Sequence, residues 1–363
     1  MSKQVQIVVF GKLPEDLMAR LAEVGAVSSL DKKEGLVEAD IIAAACAADI
    51  ILTEPYVQIT PAVLAACPNL RMIAQRAVGY DNINLDDCLH RPILVTNTPG
   101  VLDNATADLA FALLLTAGRR IVEADKYVRD GHWRGFENDL LLGCELAGRT
   151  IGIVGMGRIG SAMARRARGF SMDIVYCRAA DVKDDANDET IAASAGVDEK
   201  DRKWKQELGA RRVSLKTLLQ HSDFISLHCP HNKDTEKLIG APQFALMKKN
   251  CIFVNTARGK VVDEDALCRA LEKGQIRGAG LDVFYNEPVV SETLLKASNV
   301  VLAPHIGSAS EETRYAMAAL AVNSVLKALA GTLPDNALNK DVFDQWRKNQ
   351  PEIDKTRQGA VQS

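Results

Sequence analysis

The sequence predicts an α/β protein of two doubly wound parallel-sheet domains, and three observations predict it. Short β-branched runs alternate with helix-period segments along the chain, the pattern of parallel strands covered by helices on both faces. The 363 residues exceed what one core ordinarily organises. A strand, loop, short helix, strand pattern also occurs twice. Asp49-Ile50-Ile51-Leu52-Thr53 leads to Leu70-Arg71-Met72-Ile73-Ala74, and Asp223-Phe224-Ile225-Ser226-Leu227 leads to Cys251-Ile252-Phe253-Val254-Asn255.

Taken in order, residues 6–10 read as the first strand and 14–24 as an amphipathic helix. Strands follow at 49–52, 70–74 and 93–96, with a short helix at 61–66 that starts on Pro61. Residues 101–120 carry apolar side chains at helical spacing, with Asp103 and Asn104 as candidate caps, and read as one long buried connection. The second set of strands is 149–154, 173–177, 223–227, 251–255 and 279–283, with a helix at 160–168. A last long helix, 311–330, is stopped by Gly331 and Pro334, and the chain from about Lys348 is polar and expected to be loose.

Composition narrows the class. Hydrophobic residues make up 47% and charged residues 25%, with a net charge of -3, so no bulk charge draws the chain to nucleic acid or membrane. The N-terminus lacks the pattern of a cleaved leader, and no apolar run has the length of a membrane span. Eight scattered cysteines form no C-x-x-C pair and read as reduced thiols in a cytoplasmic protein.

Gly155-Met156-Gly157-Arg158-Ile159-Gly160 follows a strand and opens a helix. Gly155 permits the tight turn, Gly157 a close approach of backbone to pyrophosphate, and Gly160 close packing of helix on strand. The phosphates of a dinucleotide then meet the free N–H groups of the helix. The next strand should end near the adenosine ribose, where a carboxylate serves NAD. This chain has Arg178 there, which can bind a 2′-phosphate, so NADP is favoured over NAD. The competing reading makes Arg178 a surface arginine and gives the NAD role to Asp181.

Three further strand ends each carry one charged or titratable group: Arg258 after 251–255, Glu287 after 279–283, and His305 after Val300-Val301-Leu302. In a parallel sheet these ends share one edge. Ketone reduction needs a hydride and a proton, and histidine titrates in the range to supply the proton. Glu287 would orient the imidazole, while Arg258 would anchor a substrate carboxylate and polarise its carbonyl.

Val78-Gly79-Tyr80-Asp81, Asn97-Thr98-Pro99-Gly100, the glycine fingerprint, Asn255-Thr256-Ala257-Arg258-Gly259, Leu281-Asp282-Val283-Phe284-Tyr285-Asn286-Glu287-Pro288 and Pro304-His305-Ile306-Gly307 occur in that order. Together they resemble the D-isomer-specific 2-hydroxyacid dehydrogenases, over roughly residues 5–338. The resemblance implies a flavodoxin-like substrate domain, residues 1–98 plus 309–340, and a Rossmann cofactor domain, 99–308, with 341–363 as a tail. It implies Arg258, Glu287 and His305 as catalytic residues, and Val78 and Gly79 with Arg258 as substrate-binding. Thr106, Gly155, Gly157, Arg158, Ile159, Gly160, Arg178, Pro230, Thr235, Thr256, Ala257, Asp282, His305 and Gly307 would line the cofactor. It also implies a homodimer formed through residues 121–142.

Within the family the sequence is most similar to glyoxylate/hydroxypyruvate reductases. An NAD-linked D-lactate, D-glycerate or phosphoglycerate dehydrogenase is the alternative, and a dinucleotide-sensing corepressor a more distant one. A phosphorylated substrate would want basic residues in the substrate loop. Thr53-Glu54-Pro55-Tyr56 is not basic, and only Arg76 argues the other way. Residues 179–206 depart from the family pattern: Asp181, Asp184, Asp185, Asp188 and Glu189 precede Lys200, Arg202, Lys203 and Lys205, which reads as a solvated surface insertion. His228-Cys229-Pro230-His231 lies along an extended strand end without further ligands at metal spacing, so no metal site is expected.

Overall fold

The computed structural model describes residues 4–178, 181–182 and 187–348. The chain divides into two compact units, Met1–Leu102 with Ser310–Ser363, and Asp103–Ala309.

The first unit runs β1 (Gln6–Phe10), α1 (Glu15–Ala22), β2 (Ala26–Leu30), α2 (Glu38–Ala45), β3 (Ile50–Thr53), α3 (Pro61–Ala66), β4 (Met72–Gln75), α4 (Leu85–Leu89) and β5 (Leu94–Thr96). Its strands order as β2-β1-β3-β4-β5, all parallel, with Ile7 opposite Ile50 and Ile50 opposite Met72. This is the flavodoxin-like winding. Period-two alternation divides the strand side chains between two cores. Ile7, Val9, Leu52 and Met72 face one, and Val8, Ile51 and Ile73 the other.

The second unit runs α5 (Asp103–Gly118), α6 (Ile121–Arg129), β6 (Thr150–Val154), α7 (Arg158–Gly169), β7 (Asp173–Cys177), α8 (Asp188–Val197), α9 (Glu199–Leu208), β8 (Arg211–Arg212), α10 (Leu215–His221), β9 (Phe224–Leu227), α11 (Ala241–Leu246), β10 (Ile252–Asn255), α12 (Glu264–Glu272), β11 (Gly278–Leu281), α13 (Glu292–Lys296) and β12 (Val300–Leu302). The order β12-β11-β10-β9-β6-β7-β8 is fully parallel. Strand order reverses between β6 and β9, the switch point where such sheets bind ligands. The chain then returns to the first unit as α14 (Glu311–Leu329) and α15 (Phe343–Lys348), which pack on its sheet through Ala321, Val325 and Trp346.

Four expectations change. The connection at 101–120 is α5, broken from α6 where Arg120 turns left-handed at φ 56°. Asp103 lies inside the first turn of α5, where its charge faces the positive helix end, so it is not a cap. Asn104 is likewise inside that helix. The stretch counted as a tail from 341 begins with a helix packed on its own unit: Phe343 and Trp346 are buried, and the Trp346 indole N–H donates to the Arg71 carbonyl at 2.8 Å. The residues after Lys348, expected to be loose, lie outside the described residues. The insertion carries two helices, α8 and α9, and is not merely solvated, since Asp201 within it is buried. Asp184 and Asp185 lie outside the described residues. Among the described residues no helix is long and apolar enough to cross a membrane.

Candidate active site

In the second unit the sheet brings Arg258, Glu287 and His305 to the carboxyl ends of the neighbouring strands β10, β11 and β12. β10 is buried along its whole length, and the loop after it is stitched by Asn255. The Asn255 Oδ1 accepts the Ala257 N–H at 3.0 Å, and its Nδ2 donates to the Arg258 carbonyl at 3.0 Å. The Arg258 Nη1 donates to the Ala257 carbonyl at 2.7 Å. Gly259 then lies so close to the next loop that a Cβ would sit 1.9 Å from the Phe284 carbonyl oxygen. Only a glycine lets these two backbones touch, and this contact brings the Arg258 loop against the Glu287 loop.

The Glu287 Oε1 accepts the Phe284 N–H at 3.0 Å, and Oε2 lies 2.7 Å from His305 Nδ1. Burial pushes the Glu287 carboxyl up. The hydrogen bond and charge of His305, the Phe284 N–H and the charge of Arg258 outweigh it and hold the carboxyl below its ordinary range. His305 sits at φ 54°, a left-handed conformation that is uncommon for a residue with a side chain. Its loop is held there by Asp282. The Asp282 carbonyl accepts the His305 N–H at 2.9 Å, and the two carboxylate oxygens accept the N–H groups of Ile306 and Gly307 at 2.7 and 2.8 Å. Asp282 is buried with both oxygens used, so its role is to shape the His305 loop. The His305 side chain remains 45% exposed, with one ring edge on Glu287.

At the switch point the glycine turn has the form a dinucleotide needs. Gly155 is left-handed at φ 99°, and a Cβ there would meet the Cys229 N–H nitrogen at 2.7 Å. A Cβ on Gly160 would lie 2.2 Å from the Gly155 carbonyl oxygen, whereas Gly157 faces open space. The first turn of α7, with Arg158 exposed and Ile159 partly so, leaves its N–H groups available there. These residues fit a bound pyrophosphate. Nearby, Thr235 is buried and its hydroxyl donates to the Pro230 carbonyl at 2.7 Å, fixing that loop. Thr106 is buried beside Gly307, and Thr256 is buried after β10 with Ala257 partly exposed beyond it.

Arg178 needs correction as a ready phosphate ligand. Its Nη1 and Nη2 donate to the two Asp198 oxygens at 2.9 and 3.0 Å, and Nη2 also donates to Asp201 at 2.5 Å. Asp181 is no freer. It is buried, and accepts from the Arg178 N–H at 2.8 Å and from Arg212 at 2.7 and 2.8 Å. Both groups that sequence offered for the ribose end are bound to other residues, because the insertion folds its own acids onto the end of β7.

In the first unit the Val78–Gly79 loop follows β4. The Ala77 carbonyl accepts the Thr98 N–H at 2.9 Å, the Val78 carbonyl accepts Asn97 Nδ2 at 2.8 Å, and the Gly79 carbonyl accepts Gln75 Nε2 at 3.0 Å. A trans peptide points its N–H opposite its carbonyl, so anchoring the first two carbonyls turns the Val78 and Gly79 N–H groups away from these partners. Asn97 and Thr98 stand in one of the motifs that carry the resemblance but had no role assigned, and Gln75 was not singled out, because which carbonyls they hold is decided by the folded loop. Arg76 is buried, pairs with Glu54 at 2.6 Å and donates to the carbonyls of Phe10 and Lys12 at 2.6 and 2.7 Å. It is therefore committed inside the unit.

The family model for the D-isomer specific 2-hydroxyacid dehydrogenase NAD binding domain matches residues 111–199 and 191–307. The chain belongs to the D-isomer-specific 2-hydroxyacid dehydrogenases. As a member of that family it is an NAD(P)-dependent oxidoreductase acting on CH-OH groups. It is 48% identical over 299 residues to a glyoxylate reductase of Thermococcus litoralis, covering 81% of this chain and 85% of that one. A glyoxylate reductase of Pyrococcus furiosus is 42% identical over 91% of this chain and 94% of its own. Among solved structures, an NADPH-dependent glyoxylate/hydroxypyruvate reductase of Sinorhizobium meliloti, in complex with NADP and malonate, superposes with a TM-score of 0.76. It is 31% identical, over 93% of this dehydrogenase and 98% of that chain.

Proposed function

We propose that this dehydrogenase reduces glyoxylate and hydroxypyruvate to their 2-hydroxy acids. The observation that carries the reading is the His305–Glu287 pair at 2.7 Å, set on a strand end adjacent to the one that presents Arg258. The names of the relatives support the substrate class. A bound reduced nicotinamide supplies the hydride. His305 donates the proton to the developing alkoxide, and in the reverse direction takes it back. Glu287 holds the imidazole through Nδ1 and leaves Nε2 for the substrate oxygen. Arg258 binds the substrate carboxylate and polarises the carbonyl. In the first unit, the N–H groups of Val78 and Gly79, turned outward by their anchored carbonyls, are two backbone donors of the kind that binds a carboxylate. Arg76, already paired with Glu54, speaks against a phosphorylated substrate.

The cofactor is held by the Gly155, Gly157 and Gly160 turn and the first turn of α7, with Thr106, Pro230, Thr235, Thr256, Ala257 and Gly307 around it. The NADP preference loses its ground once Arg178 is paired, and the pairing favours NADH. A homodimer through residues 121–142 is supported by Ile121, Val122, Val128, Trp133, Phe136 and Leu142, which expose large apolar side chains. Light scattering that returned the mass of one chain would overturn it. A cytoplasmic setting is supported by eight free cysteines.

The test follows the loss of reduced nicotinamide with glyoxylate, hydroxypyruvate, pyruvate and 3-phosphohydroxypyruvate. Turnover should be fastest with the first two. A preference for the phosphorylated acid, or no turnover with any, would refute the assignment.

A further inference from the structure

The charged insertion deepens the cofactor reading. It begins directly after β7, the strand end beside which the adenosine ribose of a bound dinucleotide lies. Asp198 is the cap of α9: its Oδ1 accepts the N–H groups of Lys200 and Asp201 at 2.9 and 3.1 Å. The same carboxylate grips Arg178 in a two-bonded fork. Asp201, with a side chain only 1% exposed, takes Arg178, Arg212 at 3.0 Å and the Tyr176 hydroxyl at 2.5 Å. The Trp204 ring covers one face of the guanidinium, with its centroid 5.3 Å from Cζ. Two guanidiniums, Arg178 and Arg212, thus face three carboxylates, Asp181, Asp198 and Asp201.

We propose that Asp198 and Asp201 act as resident anions on Arg178, so that this chain selects the dinucleotide lacking a 2′-phosphate. An arginine binds phosphate through the same forked edge that Asp198 occupies. A 2′-phosphate would have to displace a carboxylate that also caps α9, and would enter a cluster already holding one excess negative charge. A ribose hydroxyl is neutral and can donate to Asp198, as NAD requires. The Arg178 guanidinium holds the Asp198 carboxyl well below the usual carboxylate range, so it stays ionised at any working pH.

The inference rests on the dinucleotide reading of the glycine turn, and its test separates the two. Calorimetric titration of the full chain with ADP-ribose and with 2′-phospho-ADP-ribose needs neither substrate nor turnover. The wild type should bind ADP-ribose at least about tenfold more tightly. Asp198→Asn keeps a good capping residue but removes one charge, and should improve 2′-phospho-ADP-ribose about tenfold relative to ADP-ribose. Glu207→Gln, on the exposed side of α9, should leave the ratio unchanged and controls for net charge. A wild-type preference for the 2′-phosphate, or an unchanged ratio in Asp198→Asn, overturns the role of Asp198 and leaves the dinucleotide site standing. If neither probe binds, the glycine turn is not a dinucleotide site and the inference falls with it.

Discussion

Two carboxylate-cation clusters stand at the carboxyl edge of the same seven-stranded sheet. At β11 and β12, one carboxylate meets one imidazole, half exposed and with Nε2 left for other work. At β7, three carboxylates enclose two guanidiniums, and Asp201 is sealed from water. The residue types are those that bind substrates and phosphates in both places. The difference is whether the charge is already compensated by its own chain: a compensated cation shapes the fold and repels anions, and an uncompensated ring edge can do chemistry.

The largest effect expected at the open cluster comes from His305→Asn. Removing the proton donor should lower kcat about 10²- to 10⁴-fold, while the affinity for dinucleotide stays near wild type. An unchanged kcat would erase the distinction between the two clusters. Next is Glu287→Gln, which keeps the shape but not the charge and should lower kcat about ten- to a hundredfold. Because Glu287 is held below its ordinary range, its pairing with His305 is fully present above the unfolded carboxyl value and is lost as pH falls through the lower folded one. The wild-type rate profile should therefore show no carboxyl limb between pH 5 and 7. A limb near pH 6 that disappears in Glu287→Gln would contradict this. The smallest effect is in the first unit. Asn97→Ala frees the Val78 carbonyl and should raise KM for the oxo acid about tenfold with a smaller change in kcat. Equal losses in both would move Asn97 out of the binding role.

The parts legible in sequence were those written in local pattern. Fully buried strands such as β3, β4 and β10 read as short apolar runs, and the glycine turn as spaced glycines before a helix. The misses have physical causes. β2 is a half-exposed edge strand, Ala26–Leu30, without alternation to mark it. α2 has Val37 where a polar cap would advertise a start. β8 spans two residues and exists only because β7 pairs with it. The charged insertion looked solvated because acids and bases apart in sequence give no sign that they will meet. Nothing local marks Trp346, in the stretch counted as a tail, as a core residue, because the Arg71 carbonyl that receives it is distant in the chain.

By itself the sequence determined the alternation of strands and helices, the glycine turn and the order of Arg258, Glu287 and His305, since these depend on local periodicity and on residues at fixed spacing. Tertiary structure decided which charges were left to act. Glu287 reaches His305 and Asp198 reaches Arg178 only through the parallel sheet and the folded insertion, because an ion pair depends on distance in space, which spacing along a chain does not encode.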